Sequence, residues 1–173
     1  AVATLRSTQR VSMMLDAACT ILCVMYVGWL FSFIVLLRSL PSGAGLVTLL
    51  IGLMSFTDIG AYFIGRAFGR HKLCPALSPK KTWEGSVGGL MLSAALGYKL
   101  CPMFGLAPLH GLALAAGVSI FGQLGDIWES ALKREVNIKD AGELLGGHGG
   151  VLDRFDSMAF AGPFFYLYWT YFV

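Results

Sequence analysis

Charged residues are scarce in this chain of 173 amino acids. Asp, Glu, Lys and Arg together make up 13% of it, about half of their usual share in a soluble domain. Hydrophobic residues make up 56%, more than the core of a soluble domain of this length uses. These proportions disfavour a soluble enzyme or a nucleic-acid-binding domain. They make an integral membrane protein the first expectation.

The chain also lacks a metal-binding or disulfide pattern among its four cysteines. Cys19 and Cys23 lie one helical turn apart in an apolar run, where thiols mostly pack as small hydrophobic side chains. Cys74 and Cys101 add no recognisable ligand spacing. Neither a zinc site nor a disulfide framework is therefore expected.

Five apolar stretches are candidates for crossing a bilayer, which takes about 20 residues per helix. The expected spans are residues 17–37, 43–65, 85–103, 106–127 and 157–173. The last one ends in the aromatic run FFYLYWTYFV, which suits a membrane interface. Small residues recur in the third and fourth spans and predict close helix packing in lipid, with a ligand channel as the alternative. The predicted fold is all-α and polytopic.

The basic residues predict how these spans are oriented. Eleven of the thirteen Lys and Arg residues fall in the N-terminal lead and in the loops 66–84 and 129–154, whereas Arg38 and Lys99 fall on the other side. Positive charge accumulates on the cytoplasmic side of membrane proteins. Both polar loops are therefore expected on the cytoplasmic side, where they can form one site.

The first polar cluster begins with an aspartate inside an apolar run. Asp58 lies in the second predicted span, where a carboxylate is unfavourable unless it is paired or lines a wet cavity. Because a basic cluster follows it, we expect Asp58 to belong to a site. The alternative is a structural ion pair with Arg66 or a lysine at the interface.

The segment SPKKTWEG, residues 78–85, carries the basic cluster. Its candidate phosphate contacts are Ser78, Lys80 and Lys81. The Ser-Pro pair predicts a turn, and the next helix is expected to start near Thr82 or Gly85. Ammonium groups beside helix N-terminal amides favour phosphate binding. A loop that only sets topology is the alternative, and it is the preferred interpretation for Arg66 and Arg70.

The second polar cluster, residues 126–156, lies between two apolar runs. Its aspartates are Asp126, Asp140, Asp153 and Asp156. Asp126 closes an apolar span and is expected at the membrane edge. Asp153 and Asp156 share a face if the last helix starts there. Carboxylate oxygens combined with phosphate oxygens and water suit Mg²⁺, so a metal site is predicted, with a purely structural polar hairpin as the alternative.

Glycines surround a histidine within this cluster, in the segment GGHGG at residues 146–150. Glycine lets a backbone approach a ligand closely, and the amides of such a loop can bind an anion. His148 is therefore expected in the site, either contacting phosphate or shaping the loop. Before this loop, Glu129, Ser130 and Lys133 are expected on one helical face.

Together these residues resemble the phosphatidate cytidylyltransferases, also called CDP-diacylglycerol synthases. The family signature is matched by Ser130, Lys133, Arg134, Lys139, Asp140, Gly142, Leu145, Gly146, His148, Gly149, Gly150, Asp153, Arg154 and Asp156. Gly146 stands where proline is commoner. The run from Asp58 through SPKKTWEG is similar to a second element shared by the family. The resemblance covers about residues 45–173, and the segment DRFDS looks like the bacterial and plastid branch.

The resemblance implies transfer of CMP from CTP to phosphatidate, giving CDP-diacylglycerol and pyrophosphate. It implies that Asp126 and Asp153 bind Mg²⁺, with K⁺ as an open alternative for a second cation. Asp58 and Asp156 are weaker metal candidates. The expected catalytic residues are Asp126, Lys133, Asp140 and Asp153. The expected substrate contacts are Ser78, Lys80, Lys81, Ser130, Arg134, Lys139, His148, Gly149 and Gly150.

Because family members usually carry further N-terminal spans, residues 1–173 are expected to be the C-terminal catalytic membrane region of a larger enzyme. The expected location is a bacterial inner membrane or a plastid membrane, with the site on the cytoplasmic or stromal side. A homodimer is an open alternative to a monomer. Two other functions also stay open: a CTP-dependent enzyme acting on an isoprenoid ether lipid phosphate or a polyprenol, and a transporter that uses the intramembrane carboxylates.

Overall fold

A computed structural model of the protein describes the backbone of residues 2–135 and 152–173, and the side chains of residues 13–135 and 155–173. The described part is almost entirely helical. Its helices are α1 (Val2–Cys23), α2 (Leu30–Ser39), α3 (Gly43–Phe68), α4 (Trp83–Leu100), α5 (Pro108–Glu135) and α6 (Leu152–Phe172). A π-helical segment, Val24–Trp29, joins α1 to α2 without a break, and a 3₁₀ turn, Cys101–Phe104, follows α4.

Four of the predicted spans are confirmed as helices long and apolar enough to cross a membrane. They are Met13–Ser39, Gly43–Phe68, Trp83–Phe104 and Pro108–Glu135. The fifth predicted span forms as α6, a helix of 21 residues. Over the described residues, α6 is not among the helices that are long and apolar enough to cross a membrane. The protein is therefore an all-α membrane protein in which the count of five spans is approximate.

A small β-hairpin interrupts this helical architecture between α3 and α4. Strand β1 (Lys72–Cys74) pairs antiparallel with β2 (Ser78–Thr82), and Lys72 lies opposite Thr82. The turn predicted at the Ser-Pro pair is thus wrong, because residues 75–77 form the turn and Ser78 begins a strand. Proline is tolerated in β2 because a two-stranded ribbon leaves outward amides unpaired.

The start of α4 is fixed by its N-cap residue. The Thr82 side chain accepts a hydrogen bond from the Gly85 amide at 3.2 Å, which satisfies one of the amides that the first helical turn leaves free. The helix therefore begins at Trp83, within the predicted range. Strand β2 runs directly into this helix, so the lysines of β2 have a fixed position above α4.

The helices form a bundle in which neighbours along the chain pack together. Helix α4 lies between α3 and α5, α6 packs against α5, and α2 contacts both α6 and α3. The largest fully buried apolar side chains of the described residues are Leu37, Leu46, Leu50, Leu53, Leu114, Val118 and Phe165. They come from α2, α3, α5 and α6. The core therefore lies away from the hairpin and leaves the hairpin end of the bundle for polar residues.

Glycines bring α4 unusually close to its two neighbours. A Cβ added to Gly60 of α3 would lie only 2.8 Å from the carbonyl oxygen of Gly88. A Cβ added to Gly97 of α4 would overlap Ala115 and the backbone of Gly111 on α5. Small residues let helices approach closely in lipid, where dispersion contacts replace the hydrophobic effect. The predicted close packing is confirmed at these contacts.

The base of the hairpin is closed by a glutamate from the first turn of α4. Glu84 accepts hydrogen bonds at 3.2 Å from the backbone amide of His71, and its Oε1 lies 2.6 Å from the imidazole Nδ1. The Trp83 amide donates to the His71 carbonyl oxygen at 3.0 Å. These bonds tie the chain before β1 to the chain after β2. They hold the hairpin at a fixed angle to α4.

Replacing Gly97 by alanine should destabilise the bundle by about 1–3 kcal/mol, the usual cost of overpacking. The added methyl has to push α5 away from α4. Gly52→Ala is a matched control, because its nearest neighbour would be a Leu96 methyl at 3.9 Å and alanine favours a helix over glycine. Thermal unfolding in detergent, followed by circular dichroism, measures both. Equal melting temperatures for Gly97→Ala and wild type would contradict the close packing.

Replacing Glu84 by alanine should loosen the hairpin without unfolding the bundle. Hydrogen exchange at the His71 and Trp83 amides is expected to become severalfold faster, because their closing partner is lost. Exchange in the middle of α5 should stay unchanged. Glu135→Ala serves as the control because Glu135 is exposed at the end of α5. Unchanged exchange at His71 in Glu84→Ala would show that Glu84 does not hold the hairpin.

Candidate functional site

A cavity of about 370 Å³ opens where the hairpin meets α3, α4, α5 and the start of α6. Four predicted site residues line it: Asp58, Lys80, Lys81 and Asp126. Asp58 comes from α3, the lysines from β2, and Asp126 from α5. The structure thus brings Asp126 of the second polar cluster together with Asp58, Lys80 and Lys81 of the first. Their convergence agrees with the expectation of a single site.

The cavity lies near one end of the bundle. Asp58 is 15 residues from the start of α3, which at 1.5 Å per residue places it about 22 Å along that helix. Ser86 lies at a similar level, about 21 Å before the end of α4. The hydrocarbon core of a bilayer is about 30 Å thick. A span that starts with α3 would therefore include Asp58, on the hairpin side of its midpoint, so the cavity extends from the polar hairpin in between the apolar helices.

An ion pair joins the hairpin to α5 inside the cavity. The Lys81 ammonium contacts Asp126 Oδ2, and both side chains are partly exposed. Asp58 interacts electrostatically with Asp126, Asp156 and this lysine, and Asp126 also acts on Asp156. Asp126 and Asp58 thus both act on the Lys81 ammonium group, and Asp156 adds negative charge near these two carboxylates. This negative charge favours a cation in the cavity.

A polar network forms the floor of the cavity one turn below Asp126. The Ser86 hydroxyl donates to Gln123 Oε1, and Gln123 Nε2 donates to the Ser119 hydroxyl at 3.1 Å and the Ser86 carbonyl at 3.4 Å. These residues link α4 to α5 within membrane-spanning segments. Hydrogen bonds between helices in lipid hold them in one arrangement. The network therefore fixes the distance between the helix that carries the hairpin and the helix that carries Asp126.

A second, buried ionic cluster lies beside the cavity. Glu129 is only 2% exposed, and its Oε2 lies 2.6 Å from the Lys133 ammonium. Asp156 is also buried and interacts electrostatically with Glu129. Its Oδ1 accepts hydrogen bonds from the Ser157 amide at 2.6 Å and the Ser157 hydroxyl at 3.0 Å. Asp156 thus supports the start of α6, which makes it a weaker metal candidate than Asp126.

The first membrane helix contributes a tyrosine to this cluster. Tyr26 lies in the π-helical segment, is 6% exposed, and its hydroxyl has no hydrogen-bond partner among the described residues. The hydroxyl lies in the electrostatic field of Asp156, Glu129 and Asp126. π-Helical segments are frequent at functional sites. Sequence analysis missed this residue because it stands in an uncharged apolar run.

Other predicted residues lie away from the cavity or outside the described part. Ser78 begins β2 and is half-buried but does not line the cavity. Ser130, Lys133 and Arg134 follow Asp126 on the last turns of α5 and also do not line it. Outside the described residues lie Lys139, Asp140, His148, Gly149 and Gly150. Asp153 belongs to the first turn of α6, but its side chain is outside the described set, as is that of Arg154.

The cavity wall also contains polar residues that the sequence analysis missed. They are Tyr62, Ser86, Gln123 and Ser157. Arg66 had been interpreted as a loop residue that sets topology. This interpretation is wrong about where Arg66 lies, because the residue is in the last turn of α3 and lines the cavity. Its spacing of eight residues from Asp58 places both on one helical face, a signal that the sequence did contain.

Comparison with known proteins agrees with this geometry. A family model described as "Cytidylyltransferase family" matches residues 2–172. The chain is 40% identical over 148 residues to the phosphatidate cytidylyltransferase of Bacillus subtilis (strain 168), an alignment that covers 84% of this chain and 55% of that protein. It is 43% identical over 162 residues to the phosphatidate cytidylyltransferase of Staphylococcus saprophyticus, covering 92% and 61%.

The phosphatidate cytidylyltransferase of Staphylococcus aureus (strain COL) is 43% identical over 164 residues, again covering 92% of this chain and 61% of that protein. The chain therefore spans between 55% and 61% of the length of these relatives. The family match extends over both polar clusters and every described helix. The chain belongs to the cytidylyltransferase family.

Proposed function

We propose that the protein transfers CMP from CTP to phosphatidate, giving CDP-diacylglycerol and pyrophosphate for phospholipid biosynthesis. The observation that carries this proposal is the cavity between the hairpin and the membrane-spanning helices, where Lys80, Lys81 and Arg66 lie beside Asp58 and Asp126. A water-soluble nucleotide reaches it from the hairpin side. A lipid reaches it without leaving the bilayer. The names of the relatives support the same reaction.

The reaction needs charge neutralisation and alignment more than a base. A phosphatidate oxygen, already anionic at neutral pH, forms a bond to the α-phosphorus of CTP. The bond from that phosphorus to the oxygen bridging to the β-phosphate breaks, and pyrophosphate leaves with the electron pair. Both reactants are anions that repel each other in water. Lysine side chains in a partly desolvated cavity reduce this repulsion and hold the reacting atoms in line.

Mg²⁺ is proposed as the metal, held by Asp126 and Asp153. Asp126 fits this role because its carboxylate faces the cavity and already contacts a cationic group, Lys81. The described residues alone contain no group of three His, Cys, Asp or Glu side chains suited to a metal. Mg²⁺ commonly keeps waters and substrate phosphate oxygens among its ligands, so two carboxylates suffice. When bound, the metal neutralises charge that develops on the phosphates.

The remaining predictions about context stay proposals. The protein is an integral membrane protein by its helices, and the relatives are bacterial. We place the cavity on the cytoplasmic side because the basic residues of the hairpin face that end. K⁺ as a second cation and a homodimer stay predictions that the single described chain does not test.

Asp126→Asn in the complete protein should lower CTP-dependent product formation by roughly 100-fold or more. The neutral amide no longer attracts Mg²⁺ and Lys81, the cations proposed to neutralise the phosphates. Membrane insertion and melting temperature should stay close to wild type, since the shape of the side chain is kept. Asp16→Asn is the control, because Asp16 is exposed on α1. Radiolabelled CTP with phosphatidate in mixed micelles measures the product. Near-normal turnover of Asp126→Asn would rule out its metal role.

Lys81→Ala should weaken substrate use, seen as a higher KM or a lower kcat of roughly tenfold, because it removes a charge-assisted contact. Lys72→Ala is its control on β1, where the side chain is exposed and does not line the cavity. Unchanged kinetics for Lys81→Ala would return the hairpin to a purely topological role.

Running the assay with a polyprenol or an isoprenoid ether lipid phosphate in place of phosphatidate tests the acceptor. Faster transfer to either acceptor would replace phosphatidate in the proposal.

A further inference from the structure

The cavity face of α3 carries an arginine that the proposed reaction has not yet used. Asp58, Tyr62 and Arg66 are spaced four residues apart and all line the cavity. Arg66 lies two turns, about 12 Å, nearer the hairpin than Asp58. Its Nη1 donates a hydrogen bond to the Tyr62 hydroxyl at 2.8 Å. This bond holds the guanidinium beside Tyr62, at the open, exposed wall of the cavity.

Among the described side chains, residues 13–135 and 155–173, the cations in and beside the cavity differ in their ion pairing. Lys81 pairs with Asp126, and Lys133 pairs with Glu129. No carboxylate of the described residues forms such a pair with Arg66. A guanidinium has five N–H donors, and the hydrogen bond to Tyr62 uses one of them. The remaining donors have the planar fork geometry that matches a phosphate group.

The surroundings of Arg66 favour an anion that belongs to a lipid. Helix α3 is a membrane-spanning candidate, and next to the cavity face it exposes apolar surface. Phe63 is 65% exposed, Tyr62 is 58% exposed, and Ile59 is also exposed. The rings of Tyr62 and Phe63 contact each other edge to face, with ring centroids 5.4 Å apart. Phosphate-binding donors and exposed apolar side chains are therefore neighbours on one helix. A lipid with a phosphate headgroup needs both, the donors for its phosphate and the apolar surface for its acyl chains.

We propose that Arg66 binds the phosphomonoester group of the acceptor lipid, and that Tyr62 is a positioning residue that holds the guanidinium. This assignment rests on the proposed function and divides the cavity into two sides. Arg66 on α3 holds the lipid phosphate, with the acyl chains along Ile59 and Phe63. Lys81 and Asp126 on the opposite side serve the nucleotide. The phosphate oxygen that attacks CTP then enters from the membrane.

The test measures KM separately for the two substrates in mixed micelles of the complete protein. Arg66→Ala should raise the KM for phosphatidate by roughly tenfold to 100-fold, the usual effect of losing hydrogen bonds to a charged group, and leave the KM for CTP within about twofold. Arg66→Lys should recover only part of the loss, because an ammonium lacks the planar fork. Tyr62→Phe should give a smaller rise for phosphatidate only.

Arg70→Ala is the matched control. Arg70 is exposed, lies four residues after Arg66, and does not line the cavity. It should leave both KM values unchanged, although it removes the same charge near the same end of α3. Melting temperatures of all variants report whether they fold. If Arg66 acted only through positive charge near the membrane surface, Arg66→Ala and Arg70→Ala would raise the KM for phosphatidate alike. That result would overturn the proposal.

Direct binding distinguishes this proposal from the function on which it rests. Retention of labelled phosphatidate by the purified protein without CTP should fall in Arg66→Ala and persist in Arg70→Ala. Glycerol 3-phosphate and inorganic phosphate should compete weakly, because they lack the acyl chains. Efficient competition by either would assign the site to a free phosphate. A raised KM for CTP in Arg66→Ala would assign Arg66 to the nucleotide, whereas absence of CTP-dependent transfer in wild type would instead refute the proposed reaction.

Discussion

The ion pair between Lys81 and Asp126 is the contact on which the site depends. It joins the hairpin between α3 and α4 to α5, a candidate membrane-spanning helix. Both side chains are only partly exposed, and a partly desolvated charge is stabilised by an opposite charge beside it. Asp58 adds negative charge that acts on the same ammonium group, and Asp156 adds negative charge near Asp58 and Asp126. The pair thus gathers phosphate-binding and cation-binding groups in one cavity.

Two other features keep this pair in place. Glycine contacts let α4 approach α3 and α5 closely, and the hydrogen bonds of Gln123 with Ser86 and Ser119 fix α4 against α5 just below the cavity. Glu84 holds the hairpin at its base. Each feature constrains an element that carries one partner of the ion pair. The packed helices therefore position Lys81 of the hairpin and Asp126 of α5 relative to each other.

Much of this arrangement could be predicted from local sequence patterns. Apolar runs predicted five membrane spans, and four of them are confirmed as helices long and apolar enough to cross a membrane. The basic residues and aspartates predicted that Lys80, Lys81, Asp58 and Asp126 share a site. The hairpin was missed because Ser-Pro is typical of turns, and only pairing with β1 makes it a strand. Gln123 and Tyr26 were missed because a single polar residue in an apolar helix gains meaning only from its neighbours in space.

The central claim is that this cavity directs attack on the α-phosphorus of CTP by a lipid phosphate. CTP labelled either at the α- or at the γ-phosphorus, supplied with phosphatidate and the complete protein, tests it most directly. The account predicts that the α-label appears in the extracted lipid and the γ-label in pyrophosphate, in equal amounts. Appearance of the γ-label in the lipid would mean phosphoryl transfer, and would contradict the account.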